Sequence, residues 1–342
     1  MTDISVIVPV YNMAENGNLR YCLDSLVGQT LESLEIIAVD DASTDDSFRI
    51  VKEYEAKYPG RVVAIASPEN RRQGGARNLG LKAAKGRYIG FMDSDDWADP
   101  SMFEKMLNKA LETGADVVGT NMCRVYEHTM VKTGTEECND ISQVGEITDE
   151  SVKALLLHPG PVVTKLYARD IFFEPEFKFP EKMAYEDNAV FADLIMRYHR
   201  FEIVPEALYY YYQNPDSTTH AVNRKNCEDR MAAMRLGLDI AKSNGALDRY
   251  PDEVCFQFFN LFYKNTLMSY MLSPVRKELS FIKALGDEMK EAFPDFQENK
   301  YYLQNTNDEE KKLISLQQAS SLRFLIWFSV KKAYRTLRYG KW

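Results

Sequence analysis

The sequence contains few cysteines, no long apolar run and no excess of basic residues. Its five cysteines are odd in number and include no CxxC pair, which argues against a disulfide framework or a zinc knuckle, so we interpret them as reduced cytosolic thiols. No stretch approaches the roughly 20 apolar residues of a spanning helix, and the first apolar run, 4–8, is too short for a signal peptide. We therefore predict a cytoplasmic protein that does not cross a bilayer by itself.

The charge balance and the missing motifs exclude further classes of protein. A formal net charge of -9 argues against broad nucleic-acid binding, because that activity depends on clustered Lys and Arg. The sequence also lacks a Walker P-loop, HExxH and GxSxG, and no GxGxxG follows the first predicted strand. The common nucleotide-binding and hydrolase machineries are thereby disfavoured.

What the sequence does contain is an alternation of strand and helix patterns, followed by helix patterns alone. Apolar runs predict strands at 4–10, 34–39, 62–66 and 88–92, separated by apolar residues at helical spacing. Such alternation predicts a mostly parallel sheet, in which ligands bind beyond the carboxyl ends of the strands. We predict an α/β domain over 1–222 and a helical C-terminal module over 223–342.

The acidic cluster Asp93-Ser94-Asp95-Asp96 directly follows the predicted strand 88–92. In an extended segment Asp93 and Asp95 point to the same side, so both can face one hard cation such as Mg²⁺ or Mn²⁺ whose other positions go to water and a substrate diphosphate. Alternatively, Asp96 or Asp99 caps the next helix and the other carboxylates are solvated. The tetrapeptide alone favours neither interpretation.

Two further acidic pairs lie at comparable positions. Asp40-Asp41 follows the second predicted strand, where it either caps the next helix or accepts a hydrogen bond from a base N–H or a ribose hydroxyl, and we favour Asp41 for the latter role. Glu186-Asp187 opens a predicted helix, whose dipole alone favours acidic residues there. In the functional interpretation, Asp187 is a general base that takes the proton from an acceptor hydroxyl.

Other polar features also have two interpretations. The segment 70–78 joins a strand to a helix, and its glycines and Arg77 suit an anion, although surface arginines beside a Gly-Gly helix start are common. His220 lies in a polar loop, where it either contacts a phosphate or metal or is simply solvated. The tyrosines at 209–212 are interpreted as strand packing.

Taken together, four segments resemble the family 2 glycosyltransferases of GT-A fold. They are VPVYN at 8–12, VDDASTD at 39–45, GARNLG at 75–80 and DSDD at 93–96. The resemblance covers residues 3–220, and Glu186-Asp187 falls where that family places its acidic base motif. Lys165 matches a recurrent segment of the family to which we assign no role.

The resemblance implies a Rossmann-like GT-A catalytic domain and a role for each matching position. Asp93 and Asp95 would be the DxD pair, with Asp95 binding Mn²⁺ or Mg²⁺ directly, and Asp187 would be the base of an inverting displacement. We count Glu186 with the catalytic residues and His220 with the metal ligands. The residues expected to bind the nucleotide sugar are Pro9, Val10, Tyr11, Asp41, Asn70, Arg77, Asp93 and Ser94.

The last segment, 321–342, contains six Lys or Arg residues and no acidic residue, and its apolar residues recur at helical spacing. Such a helix either lies on an anionic membrane or packs on the protein's own helices with a solvated basic side. We predict peripheral contact with the inner face of the cell membrane through this segment, because of that charge asymmetry and because the family often uses lipid-linked or surface-polymer acceptors.

The expected function is therefore metal-dependent transfer of a hexosyl or N-acetylhexosaminyl group. The donor would be a nucleotide diphosphate sugar, commonly a UDP-sugar, and the acceptor a hydroxyl of a glycan, a lipid-linked sugar or a cell-surface polymer. A sugar nucleotidyltransferase is the first alternative, although it is expected to carry a Gly-rich basic loop where this chain has Pro9-Val10-Tyr11-Asn12. The second alternative is a catalytically silent module that binds nucleotide sugars.

Overall fold

The structure is a computed structural model that describes residues 2–132, 134–213 and 223–339. The chain divides into two compact units, Met1–Ser217 and Thr218–Trp342. The first contains both strands and helices, and the second contains helices alone in its described part. The predicted fold class, an α/β unit with a helical C-terminal region, is confirmed.

Among the described residues, nine strands form one sheet in the first unit. They are β1 (Ile4–Val10), β2 (Leu34–Asp40), β3 (Val62–Ala66), β4 (Tyr88–Phe91), β5 (Trp97–Ala98), β6 (Val117–Val125), β7 (Gly145–Glu146), β8 (Lys165–Ala168) and β9 (Arg200–Tyr212). Their order is β3-β2-β1-β4-β8-β6-β9-β5, and β7 pairs with β9. Strands β1 to β4 pair in parallel, as predicted, and so do β6 and β9. Strands β5, β7 and β8 run antiparallel to their neighbours.

Helices cover this sheet. They are α1 (Asn18–Val27), α2 (Ser47–Lys57), α3 (Arg72–Ala83), α4 (Met102–Thr113), α5 (Asp149–Leu157), α6 (Asp170–Phe173) and α7 (Glu186–Ile195). Every residue of β1 is buried, as its β-branched composition predicts for a central parallel strand. Helix α3 lies so close to β1 that a Cβ on Gly80 would come within 2.4 Å of Ile7 Cγ2. The sequence therefore needs a glycine where this helix meets the sheet.

Strand β9 is longer than the pattern at 208–212 predicts. Its pairing with β6 skips Pro205 and Glu206, which bulge between Val204 and Ala207. Thr120 Oγ1 donates to the Glu206 carbonyl at 2.8 Å, so side chains of β6 satisfy the bulge. Because the bulge interrupts the alternation of apolar residues, the sequence pattern does not predict the first half of the strand.

The described part of the second unit consists of helices. They are α8 (Arg224–Ser243), α9 (Ala246–Arg249), α10 (Pro251–Phe258), a π-helical turn (Phe259–Lys264), α11 (Asn265–Leu272), α12 (Leu279–Ala292), α13 (Lys300–Asn305), α14 (Asp308–Ala319) and α15 (Ser321–Tyr339). Its core is aromatic, with Phe258 stacked on Phe262 at 4.4 Å and Phe259 against Tyr302 at 5.0 Å between ring centroids. Within the described ranges, no helix has the length and apolar character needed to cross a membrane.

Candidate active site

The carboxyl ends of β1, β2 and β4 bring three of the predicted segments to one edge of the sheet. The backbone N–H of Asp41 donates to the Val10 carbonyl at 2.8 Å, and that of Met92 donates to the Ile7 carbonyl at 3.0 Å. Parallel strands end at the same edge, so Asp41 and Asp93 both lie beyond the strand ends. This edge is where a doubly wound sheet binds its ligand.

The loop after β1 presents one aromatic ring to solvent. Pro9 and Val10 are buried within the strand, so their side chains belong to the core, whereas Tyr11 is 48% exposed. Asn12 adopts a left-handed φ of 51° and its side chain accepts from the Thr44 backbone N–H at 2.8 Å. The two loops are thereby tied together, and Tyr11 is the member of this group that a flat base can stack against.

Only one of the two carboxylate oxygens of Asp41 accepts a hydrogen bond from the described residues. Its Oδ1 accepts from the Arg71 backbone N–H at 2.8 Å, and its carbonyl accepts from the Asn70 amide at 3.3 Å. Its Oδ2 is buried and has no partner among the described residues. Burial raises the pKa of Asp41, against the Arg71 hydrogen bond that lowers it. An unused buried acceptor at this edge suits a donor group of a ligand, such as a base N–H.

In the acidic cluster, Asp96 has a structural role. It is 1% exposed and accepts hydrogen bonds from the Tyr209 hydroxyl and from the Tyr212 backbone N–H, the latter at 2.8 Å. The Tyr209 hydroxyl also accepts from the Asp93 backbone N–H at 3.5 Å. The helix-start role falls to Asp99, which accepts from the Ser101 N–H at 3.0 Å ahead of α4. Asp93 and Asp95 are thus free of capping.

Asp93 and Asp95 form a site with excess negative charge. Both are half-buried, and Ser94 between them is buried. Burial and the charge of Asp93 raise the pKa of Asp95 to about 6. Burial also raises the pKa of Asp93, against the attraction of Arg77. Oxygen ligands destabilised by their own charge fit a divalent cation, which needs only one or two carboxylates when a diphosphate supplies the rest.

No group of three or more His, Cys, Asp or Glu side chains that could hold a metal occurs among residues 2–132, 134–213 and 223–339. His220, the other predicted metal ligand, lies outside the described residues.

Arg77 lies between the acidic cluster and the helix α7. One guanidinium nitrogen forms an ion pair with Glu186, and the other lies 3.3 Å from Asp93 Oδ1. Its guanidinium also faces the rings of Phe91 and Phe179, at 5.8 Å and 5.5 Å from their centroids. Arg77 and Glu186 are each 2% exposed. Arg77 therefore connects two acidic groups of the chain, and its predicted contact with the nucleotide sugar stays a prediction.

Helix α7 positions the predicted base. It begins after Tyr185, which adopts a left-handed φ of 61° and turns the chain into the helix. Asp187 is half-buried, and its Oδ1 accepts from the Asn188 backbone N–H at 2.8 Å. Burial raises the pKa of Glu186 to about 7, against the attraction of Arg77 and with a further rise from Asp187. Glu186 faces inward to Arg77 while Asp187 keeps an oxygen for other contacts.

Three residues support the site through contacts that the sequence did not predict. Tyr209 looked like packing, yet its hydroxyl connects Asp93 to Asp96. Asn78 Nδ2 donates to the Phe179 carbonyl at 2.8 Å, and this holds the segment before α7 across the start of α3. Gly74 permits the crossing, since a Cβ there would lie 2.0 Å from the Pro180 carbonyl oxygen. A tyrosine run ending beside a polar loop and a Gly-Gly pair are the signals available in the sequence.

Lys165 also has a structural explanation. Its ammonium group is buried and donates to the carbonyls of Pro159 and Pro161 at 2.6 Å and 3.1 Å. Burial lowers its pKa to about 7. The side chain thus holds the turn that leads into β8.

Comparison with known proteins identifies the family. Residues 5–172 match the family model described as Glycosyl transferase family 2. The uncharacterized glycosyltransferase YibD of Escherichia coli (strain K12) is 30% identical over 247 residues, which cover 70% of this chain and 71% of YibD. The chain belongs to glycosyltransferase family 2. Matches to three members cover 62%, 71% and 72% of the relative's own length.

Two further proteins are similar to more of this family 2 chain at lower identity. The poly(ribitol-phosphate) beta-glucosyltransferase of Bacillus spizizenii is 28% identical over 299 residues, which cover 83% of this chain and 45% of that protein. The crystal structure of S. aureus TarS 1-349 in complex with UDP-GlcNAc superposes with a TM-score of 0.71 at 21% identity, covering 100% of this chain and 93% of TarS 1-349. The predicted family and the GT-A type of fold are thereby confirmed.

Proposed function

We propose that this family 2 glycosyltransferase is a metal-dependent, inverting enzyme that uses a nucleotide diphosphate sugar. The observation that carries the proposal is the connection through Arg77, which joins Asp93 of the acidic edge to the start of α7, where Asp187 lies. Buried contacts of Arg77 therefore connect the proposed donor-binding edge to the helix that carries the candidate base. The UDP-GlcNAc complex of TarS, a protein of the same fold, supports a UDP-sugar donor and transfer of a hexosyl or N-acetylhexosaminyl group.

The nucleotide would bind at the ends of β1 and β2. Tyr11 offers an exposed ring for stacking, and Asp41 offers its unused Oδ2 to a base N–H. Asn70 lies beside Asp41 through its contact with the Asp41 carbonyl. The proposed nucleotide contacts are consistent with the resemblance, except that the buried side chains of Pro9 and Val10 would act by shaping the loop.

Asp93 and Asp95 would hold Mn²⁺ or Mg²⁺, and the bound ion would neutralise negative charge on the leaving diphosphate. Asp187 takes the proton from the acceptor hydroxyl while that oxygen bonds to the anomeric carbon. The bond from the anomeric carbon to the diphosphate oxygen breaks at the same time, and the diphosphate leaves with the electron pair. Attack opposite the leaving group inverts the anomeric centre and requires no covalent enzyme intermediate.

The acceptor we propose is a hydroxyl of a glycan, a lipid-linked sugar or a cell-surface polymer. The relative named poly(ribitol-phosphate) beta-glucosyltransferase supports the polymer class. We further propose that the protein works in the cytoplasm at the inner face of the cell membrane, attached through residues 321–342. Equal vesicle binding with and without those residues would contradict this attachment.

The decisive experiment is a panel of nucleotide sugars, each with Mn²⁺ or with EDTA, read by thermal shift and by slow hydrolysis of the donor. We expect stabilisation by one donor class only when the metal is present. Metal-independent stabilisation and hydrolysis would contradict the proposal. Formation of a nucleotide sugar from a nucleoside triphosphate and a sugar phosphate would instead assign the site to a nucleotidyltransferase.

Two variants separate donor binding from chemistry. Asp187→Asn should keep metal-dependent donor binding and lose transfer, because the amide cannot accept the proton. Asp95→Ala should lose metal-dependent binding. The matched control is Asp193→Asn on the same helix α7, where the carboxylate pairs with Arg197 at 3.1 Å, and it should keep both activities. Full transfer by Asp187→Asn would remove Asp187 from the mechanism, and a donor-binding protein without transfer activity would be the silent module.

A further inference from the structure

Helix α15 carries an uncovered apolar stripe. Six of the fifteen large exposed hydrophobic residues among the described residues lie on this one helix. Four of them, Leu322, Ile326, Val330 and Leu337, are 53% to 88% exposed and recur at a spacing that places them on one face. Contiguous apolar surface of this kind marks an interaction site.

The opposite face of the helix already has its partners. Phe324 and Phe328 are fully buried and pack with their ring centroids 5.7 Å apart. They attach α15 to the rest of the helical unit, where it contacts α12 and α14. The stripe is therefore not the surface by which the helix packs on its own unit. Of the two interpretations that the sequence left open for this helix, packing applies to the phenylalanines, whereas the stripe stays exposed among the residues that the structure describes.

Some basic residues of the helix contact the protein and others are exposed. Lys331 forms an ion pair with Glu309, and Lys332 donates to the Leu272 carbonyl at 3.0 Å, so these two cations face the protein. Arg323 and Arg338 are exposed near the two ends of the stripe, and the Arg338 guanidinium also donates to the Tyr334 hydroxyl. The segment 321–342 supplies no acidic residue to balance them. The charged residues of this segment are thus all cations.

The charge and composition of the helix favour one kind of partner for the stripe. A second copy packed stripe to stripe would bring arginines against arginines with no carboxylate from either helix, and like charges in contact oppose association. An anionic lipid surface supplies the opposite charge at the rim and an apolar layer for the stripe. Trp327 and Tyr334 flank the stripe with exposures of 42% and 53%, and both ring types are suited to the headgroup level of a bilayer.

We propose that α15 lies in the plane of an anionic lipid surface, with the stripe Leu322, Ile326, Val330 and Leu337 inserted at the boundary of headgroups and acyl chains. Arg323 and Arg338 contact the acidic headgroups. The proposal deepens the proposed attachment to the membrane and rests on it. It assigns the contact to one face of one folded helix, while the phenylalanine face stays packed in the protein.

Flotation of the full chain with vesicles tests the proposal. We expect binding to vesicles of phosphatidylcholine mixed with phosphatidylglycerol and little binding to phosphatidylcholine alone. Leu322→Glu should weaken binding by about tenfold or more, because it replaces an inserted side chain by an anion. The matched control is Leu303→Glu, since Leu303 is also 53% exposed and lies in the same unit on α13. Arg323→Gln should weaken binding to the anionic vesicles alone.

The results distinguish an error in the assignment of the stripe from an error in the proposed membrane attachment. Binding of Leu322→Glu equal to that of Leu303→Glu would overturn the assignment to the stripe, while leaving attachment through another surface. Absence of wild-type binding to either vesicle would overturn the attachment as well. Self-association in analytical ultracentrifugation that Leu322→Glu abolishes, without vesicle binding, would assign the stripe to a second copy and overturn the proposal. Donor binding and transfer to a water-soluble acceptor should be equal in all of these variants, and circular dichroism should show the same helix content.

Discussion

Replacement of Arg77 by methionine should destabilise the α/β unit by about 3–5 kcal/mol, the usual cost of removing one partner from a buried ion pair. Glu186 would remain buried without its cation, and Asp93 would lose a contact of 3.3 Å. Methionine keeps an unbranched stem that packs against the ring of Phe179, so the substitution removes mainly the charge. The perturbation therefore measures how strongly the acidic edge and α7 depend on this one side chain.

The loss should depend on pH in a defined direction. Glu186 has a folded pKa of about 7 against an ordinary value of 4.5, so the folded state binds more protons than the unfolded state between these values and stability falls as the pH rises through them. Arg77 lowers that pKa, and its removal raises the folded value further. The variant therefore continues to lose stability above pH 7, by up to about 1.4 kcal/mol per pH unit, while the wild type does not.

Urea unfolding followed by near-UV circular dichroism, on both sides of pH 7, measures both effects. The matched control is Arg49→Met, because Arg49 also pairs with two carboxylates but is 60% exposed, and it should cost less than about 1 kcal/mol. The double variant Arg77→Met with Glu186→Gln should recover most of the loss, since no buried carboxylate then lacks a cation at that position. A cost for Arg77→Met no larger than that for Arg49→Met, or a loss of stability independent of pH, would contradict a buried, charge-dependent role for Arg77.

Two other perturbations have defined outcomes. Asp95, with its pKa raised to about 6 by burial and by Asp93, is increasingly protonated below that pH, so Mn²⁺-dependent donor binding should weaken by about tenfold per unit as the pH falls further. Calorimetric titration checks this, and an affinity that stays constant down to pH 4 would contradict it. Gly74→Ala, whose Cβ would lie 2.0 Å from the Pro180 carbonyl oxygen, should lower the free energy of unfolding by about 1–3 kcal/mol. Gly134→Ala, with open space around its Cβ, should change it by less than about 0.5 kcal/mol, and equal urea midpoints for the two variants would count against the crossing.

The first half of the sheet follows from local pattern. β1, β2 and β4 are runs of apolar residues buried from both sides, and each ends at polar residues because the chain leaves the core there. Asp41 and Asp93 could therefore be placed at one edge from sequence alone. The roles proposed for them remain predictions.

The second half of the sheet depends on contacts between distant segments, which periodicity does not encode. β8 lies between β4 and β6, and β9 pairs with both β6 and β5. The bulge at Pro205 breaks the apolar alternation, so the sequence pattern predicts only half of β9. The hydroxyl of Tyr209 reaches Asp96 over 113 residues of sequence, so its bridging role becomes visible only in the assembled sheet.

Arg77 is the clearest example of a contact that the sequence does not predict. Beside two glycines at a helix start, an arginine favours an anionic ligand, and the sequence offers no sign of a partner. The structure pairs it with Glu186, 109 residues further along, and buries both side chains. The contact of Arg77 with a nucleotide sugar stays a prediction. Tyr11 and Asn70 are exposed among the described residues, and their contact with a nucleotide stays a prediction.

The contact between Tyr209 and Asp96 also sets an order of events during synthesis. The DSDD segment leaves the ribosome more than a hundred residues before the tyrosine strand that satisfies it. Until β9 is made and inserted beside β6, the Asp96 carboxylate has neither its hydroxyl nor its backbone donor and favours a hydrated position outside the core. The growing chain can build the parallel half of its sheet early, but the proposed donor-binding edge is complete only when the last strand is in place. Binding of a donor at the proposed edge is thus expected only late in synthesis, once β9 has joined the sheet.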